Sequence, residues 1–115
     1  MDCGAIVDGY NSDYAVTQVA GLSTSEKDDL IDATRMSLEM GIKAARPGNR
    51  VGDISNAVES HVLTKSYELV REYVGHGIGK NLHEPPQIPN FGPTGHGMEL
   101  RAGLVLAIEP MVNAG

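Results

Sequence analysis

The sequence predicts an α+β fold in which a β-hairpin leads into two helices and then into antiparallel strands. Three observations carry this reading. Strand-like residues flank the turn pair Asp8-Gly9 near the start. Apolar positions then recur with helical spacing between about residues 24 and 65. Two further strand-like runs, 67–74 and 104–112, enclose a segment rich in glycine and proline.

Each element has a local reason. Ala5-Ile6-Val7 and Tyr14-Ala15-Val16-Thr17 favour extended backbone, and Asp8-Gly9 is a two-residue hairpin turn, so a hairpin is expected over 2–18. With that turn, Val7 faces Tyr10 and Asp2 faces Ala15, which puts Asp2 and Asp13 on one face as diagonal neighbours. Ser23 and Glu26 have capping-box spacing, and Leu30, Thr34, Leu38 and Ile42 recur four apart, giving a helix over about 24–45. Arg46-Pro47-Gly48-Asn49 ends it. A second helix is expected over 52–65, with Ile54, Ala57, Val58, His61 and Val62 on one side. Residues 67–74 read as a strand, Gly75 to Gly103 as loop, and 104–112 as a final strand. Each terminal strand would be an edge in need of cover, so the 115 residues read as part of a larger catalytic domain.

Composition narrows the function. With 41% hydrophobic and 21% charged residues the chain has an ordinary globular make-up, and its core must rest on aliphatic side chains, because it has no Trp and one Phe. A net charge of −6 argues against direct nucleic-acid binding, which calls for a basic face. A single cysteine, Cys3, excludes an internal disulfide and suits a reducing compartment. The start has neither the basic residues nor the apolar run of a signal peptide, and every apolar run falls short of the ~20 residues of a membrane helix. A cytoplasmic protein with no membrane partner is expected.

Five residues point to chemistry. Asp2 and Asp13 on one hairpin face repel each other unless a cation lies between them. His76 stands among Gly75, Gly77 and Gly79, where the backbone can bend close to a ligand. Glu109 lies inside the apolar run 104–112, and an uncompensated carboxylate there costs several kcal/mol. Three carboxylates and one imidazole form a donor set suited to Mn²⁺, Fe²⁺, Co²⁺ or Zn²⁺. Such a cluster favours two metals that activate water toward a carbonyl. His83, seven residues after His76, is placed to donate to a developing oxyanion.

Several ordered stretches resemble type I methionine aminopeptidases. They are Arg46-Pro-Gly-Asn-Arg-Val-Gly-Asp-Ile-Ser55, Glu72-Tyr-Val-Gly-His-Gly-Ile-Gly-Lys80, His83-Glu-Pro-Pro-Gln-Ile-Pro-Asn-Phe-Gly92 and Leu104-Val-Leu-Ala-Ile-Glu-Pro-Met-Val-Asn113, together with the hairpin from Asp2 to Asp13. The resemblance covers essentially the whole chain. It implies part of a pita-bread fold holding two divalent metal ions (Co, Mn, Fe or Zn) and removal of the initiator methionine from nascent polypeptide N-termini at the ribosome. By the same resemblance Asp2 chelates one metal, Asp13 bridges both, and His76 and Glu109 bind the other. His83 contacts the scissile peptide as the catalytic residue, and Leu82 lines the methionine pocket. Asn11-Ser12 stands where the family often has His-Gly, and Lys80 where it often has Arg. The family's fifth ligand, a glutamate on a later strand, and its N-terminal part are not among these residues.

Two other readings remain at this point. Xaa-Pro peptidases of the same fold share the His-Gly-Ile-Gly and His-Glu-Pro elements, although Pro89-Asn-Phe-Gly92 and Leu106-Ala-Ile-Glu-Pro-Met-Val112 favour the methionine enzymes. A catalytically inactive pita-bread module acting by binding would be expected to lose ligands, whereas every ligand this segment could carry is present.

Overall fold

Asp8 and Gly9 both adopt positive φ, 50° and 80°, the backbone of a tight hairpin turn that matches strand twist. In the computed structural model, which describes all 115 residues from Met1 to Gly115, they join β1 (Asp2–Val7) to β2 (Tyr10–Ala15). The register pairs Val7 with Tyr10, Gly4 with Asp13 and Asp2 with Ala15, so Asp2 and Asp13 share a face as expected. The strands stop at Ala15, short of residue 18.

Helix α1 spans Ser25–Ala44. Its N-cap is Thr24 rather than Ser23: Thr24 is extended and its hydroxyl accepts from the Lys27 amide, while Ser23 Oγ donates to the Asp28 carboxylate at 2.5 Å. The stripe Leu30, Thr34, Leu38 and Ile42 is not the buried line. That line is Ala33, Ser37 and Gly41, one residue to the side, and Ile42 stays 55% exposed. The physical reason is helix approach. A Cβ on Gly41 would lie 2.9 Å from Val58 Cγ2 and 3.4 Å from Ile54 Cγ2, so small residues let α2 (Val51–Thr64) come close while larger ones flank the contact. On α2, Ile54, Val58 and Val62 are fully buried, and each contributes about 1.5–3 kcal/mol of apolar burial.

The second half departs most from the expected layout. Residues 75–103 are not all loop: Gly75–Gly77 is a buried strand, β4, and Glu84–Ile88 is a second, β5. They form a three-stranded sheet, β5-β4-β6, whose other edge is β6 (Leu106–Ala107). Low strand propensity hid β4. Its glycines are nevertheless required, since a Cβ on Gly75 or Gly77 would fall 2.3 Å from the Ala107 or Pro85 carbonyl oxygen. The expected strand 67–74 shrinks to β3 (Glu68–Leu69), which pairs with β7 (Val112–Asn113). The run 104–112 is therefore two strands serving two sheets, broken around Glu109-Pro110, where Pro110 has no N–H to offer a ladder. Val51, Ile54, Ile88 and Leu100 form the core between α2 and this sheet, with Leu106 and Ile108 packed on it. No helix is long and apolar enough to cross a membrane.

Candidate metal centre

His76 occupies the middle of β4, flanked by strands on both sides and only 7% exposed. It pairs with Ala107 across β6. Glu109 follows Ala107 by two residues, just past the end of β6, and its carboxylate reaches the His76 ring. His76 Nδ1 lies 2.8 Å from the Gly77 carbonyl. A carbonyl only accepts, so Nδ1 carries a proton, and in the neutral tautomer Nε2 presents a lone pair.

That nitrogen faces two carboxylates. Nε2 is 3.0 Å from Glu109 Oε1 and 3.5 Å from Asp13 Oδ2, and one donor atom from each of the three residues lies within 4.8 Å of the others. Although 3.0 Å is a hydrogen-bond separation, Glu109 Oε1 is buried with no hydrogen-bond partner. Lone pairs turned toward one another repel, and only a cation or an added proton between them removes the conflict. Burial pushes the Glu109 carboxyl above the usual carboxylate range; Asp13 and Asp2 add to the rise, and His76 and His83 oppose it. An orphaned buried oxygen, an imidazole nitrogen and a second carboxylate within 4.8 Å of one another fit a divalent cation.

The other expected residues lie around this trio. Asp2 is outside the tight group, exposed on β1, yet close enough for its charge to act on Glu109. His83 is exposed, and its ring stands edge-on to that of His76 with centroids 4.4 Å apart. Leu82, beside it, is 42% exposed and free to meet a ligand.

Three supporting residues escaped the sequence reading. The Asn11 side-chain amide donates to the Gly79 and Lys80 carbonyls at 3.1 and 2.9 Å. Glu84 accepts the Asn81 amide at 2.8 Å and so folds the turn that carries His83. Asn90, 1% exposed, donates to the Glu109 carbonyl at 2.8 Å. All three act on backbone far away in sequence or on a turn of no regular period, so spacing gives no signal for them; the buried Asn90 in an apolar setting is the one hint.

The profile of metallopeptidase family M24 matches residues 1–115. The chain belongs to this family. Methionine aminopeptidase 1 of Bacillus subtilis is 47% identical over 115 residues, which is 100% of this M24 chain and 46% of that relative. The crystal structure of methionine aminopeptidase from Thermotoga maritima superposes with a TM-score of 0.96 at 46% identity, covering 99% of this chain and 46% of that one. The prolidase from Pyrococcus furiosus is more distant, with a TM-score of 0.81 and 26% identity over 95% of this chain and 32% of its own. The M24 segment thus spans just under half the length of the methionine aminopeptidases it matches, and its fold is that of the pita-bread peptidases.

Proposed function

We propose that the protein containing this M24 segment is a cytoplasmic methionine aminopeptidase that removes N-terminal methionine from nascent polypeptides at the ribosome. In this reading residues 1–115 are part of its catalytic domain, and an N-terminal part and further C-terminal strands complete it. Asp2, Asp13, His76 and Glu109 hold two divalent metal ions drawn from Co, Mn, Fe and Zn. Bound there, the metals supply Lewis acidity to the scissile carbonyl and to the attacking water.

The remaining steps belong to the chain's own side chains. His76, fixed by its Nδ1 bond to Gly77, presents Nε2 inward without further reorganisation. His83, exposed beside His76, donates to the carbonyl oxygen as negative charge develops on it. Leu82 offers an apolar surface to the methionine side chain. The observation that carries the reading is the convergence of His76 Nε2 with the Asp13 and Glu109 carboxylates, with Glu109 Oε1 buried and without a hydrogen-bond partner. Identity of 47% to a methionine aminopeptidase against 26% to a prolidase favours methionine over a substrate with proline in second place.

The test is release of free methionine from Met-Ala peptides by the full protein with Mn²⁺. His76→Ala and Glu109→Ala should each lower kcat/KM at least about 100-fold, roughly 2.7 kcal/mol of transition-state stabilisation. Preference for Xaa-Pro peptides would move the assignment to a prolidase. Tight Mn²⁺ binding with no peptide hydrolysed would favour an inactive module that acts by binding.

A further inference from the structure

The hairpin β1–β2 carries two of the four proposed ligands, and within residues 1–115 it is a sheet of two strands. Every residue of β1 is exposed, and on β2 only Asn11 and Asp13 are half-buried. Its hydrogen bonds to the rest of residues 1–115 are few. Each hydrogen bond from β1 or β2 to another part of the chain is made by Asn11: its backbone N–H donates to the Gly79 carbonyl at 2.8 Å, and its side-chain amide donates to Gly79 at 3.1 Å and Lys80 at 2.9 Å. Both acceptors are carbonyls, so the NH₂ end of the amide must face them. Gly79 and Lys80 lie between His76 and His83, three and four residues beyond His76.

A turn role does not explain this asparagine. The turn is Asp8-Gly9, and Asn11 is an ordinary strand residue opposite Ile6. Its side chain bonds to residues 68 and 69 positions away, which does nothing for local conformation. Two residues further along the same strand, Asp13 reaches the His76 face, with Oδ2 at 3.5 Å from Nε2.

We propose that Asn11 is a positioning residue, whose amide clasps Gly79 and Lys80 and thereby holds the hairpin carboxylates in register with His76 and Glu109. The proposal rests on the metal-centre reading. Without the clasp the hairpin keeps its own ladder but gains freedom to swing, and Asp13 loses its fixed separation from the other two donors. A cation would then have to order the hairpin as it binds, which lowers affinity.

The experiment is Mn²⁺ titration by calorimetry of the full protein, comparing wild type with Asn11→Ala, Asn11→Gln and His76→Ala. Asn11→Ala should bind Mn²⁺ roughly 10- to 100-fold more weakly, the usual cost of removing a group that orients a ligand. Its far-UV circular dichroism and metal-free melting temperature should stay close to wild type. Asn11→Gln keeps the amide on a longer arm and should fall between. Wild-type affinity in Asn11→Ala, or loss of its helical signal, would overturn the positioning role. If His76→Ala also bound Mn²⁺ like wild type, the metal-centre reading itself would fail; if only Asn11→Ala did so, the clasp alone would.

Discussion

At the residue scale, polar side chains in this M24 segment act mainly by fixing backbone. Asp53 is the clearest case away from the metal centre. One of its carboxylate oxygens accepts the Arg50 amide at 2.7 Å and the other accepts the Gly95 amide at 2.8 Å, tying the start of α2 to the loop before β6. These bonds, Arg50 first and Gly95 second, hold the Asp53 carboxyl below its ordinary range. The sign of the pH effect follows. A carboxyl with a lowered folded-state pKa contributes stability that is fully present above its unfolded pKa. That contribution is lost as pH falls through the unfolded and then the folded value. Chemical denaturation of wild type and Asp53→Asn should therefore differ most at neutral pH and converge toward about pH 2. A gap unchanged across that range would show that the charge of Asp53 adds nothing.

At the scale of elements, β4 is the part that tolerates least change. It is three residues long, buried throughout, and hemmed in on both sides by strand carbonyls. Gly75→Ala would drive a methyl to within 2.3 Å of the Ala107 carbonyl oxygen, and that strand leads directly into Glu109. Backbone has to move, so a loss of about 1–3 kcal/mol is expected in urea unfolding. Reduced Mn²⁺ affinity should accompany it, because His76 and Glu109 are the neighbours that shift. A free-energy change near zero would mean that the strand spacing is looser than the structure has it. The loop after β5 is braced in a different way. Glu59 of α2 accepts the Gly92 amide at 2.9 Å, Asn56 donates to the Gly92 carbonyl at 3.2 Å, and Arg71 stacks on Phe91 at 4.4 Å. That bracing delivers Asn90 to the Glu109 carbonyl, so α2 supports the metal centre without touching it.

At the scale of the whole molecule, packing is thin for the chain's length. Only 16 of 115 residues are buried, and Ile6, Val7, Tyr10 and Tyr14 of the hairpin are all more than half exposed. The radius of gyration is 14.6 Å, against about 13 Å for a globule of this length. A domain that buries little apolar surface has little to set against conformational entropy. On the proposed function, residues 1–115 expressed alone should therefore melt at a lower temperature than the longer protein containing them. They should also bind Mn²⁺ roughly tenfold more weakly or worse, because the hairpin ligands are held chiefly at Asn11. Equal melting temperature and affinity in the two proteins would refute both expectations.

The sequence by itself determined what depends on local period and turn chemistry. Asp8-Gly9 set the hairpin register and with it the shared face of Asp2 and Asp13, and i, i+4 spacing set two helices to within a residue or two. Glu109 in an apolar run and His76 among glycines were legible because a buried charge and a crowded glycine cluster each need a reason. Tertiary structure decided what depends on neighbours far along the chain. Gly75-His76-Gly77 became a strand because Pro85 and Ala107 crowd it, against its propensity. The run 104–112 was divided between two sheets because different partners claimed its two ends. Ala33, Ser37 and Gly41 became the buried line of α1 because α2 approaches there, and no period in α1 alone selects small residues over leucines. The clasp of Asn11 on Gly79 and Lys80 spans 68 and 69 residues, and only the folded chain brings those groups within hydrogen-bond reach.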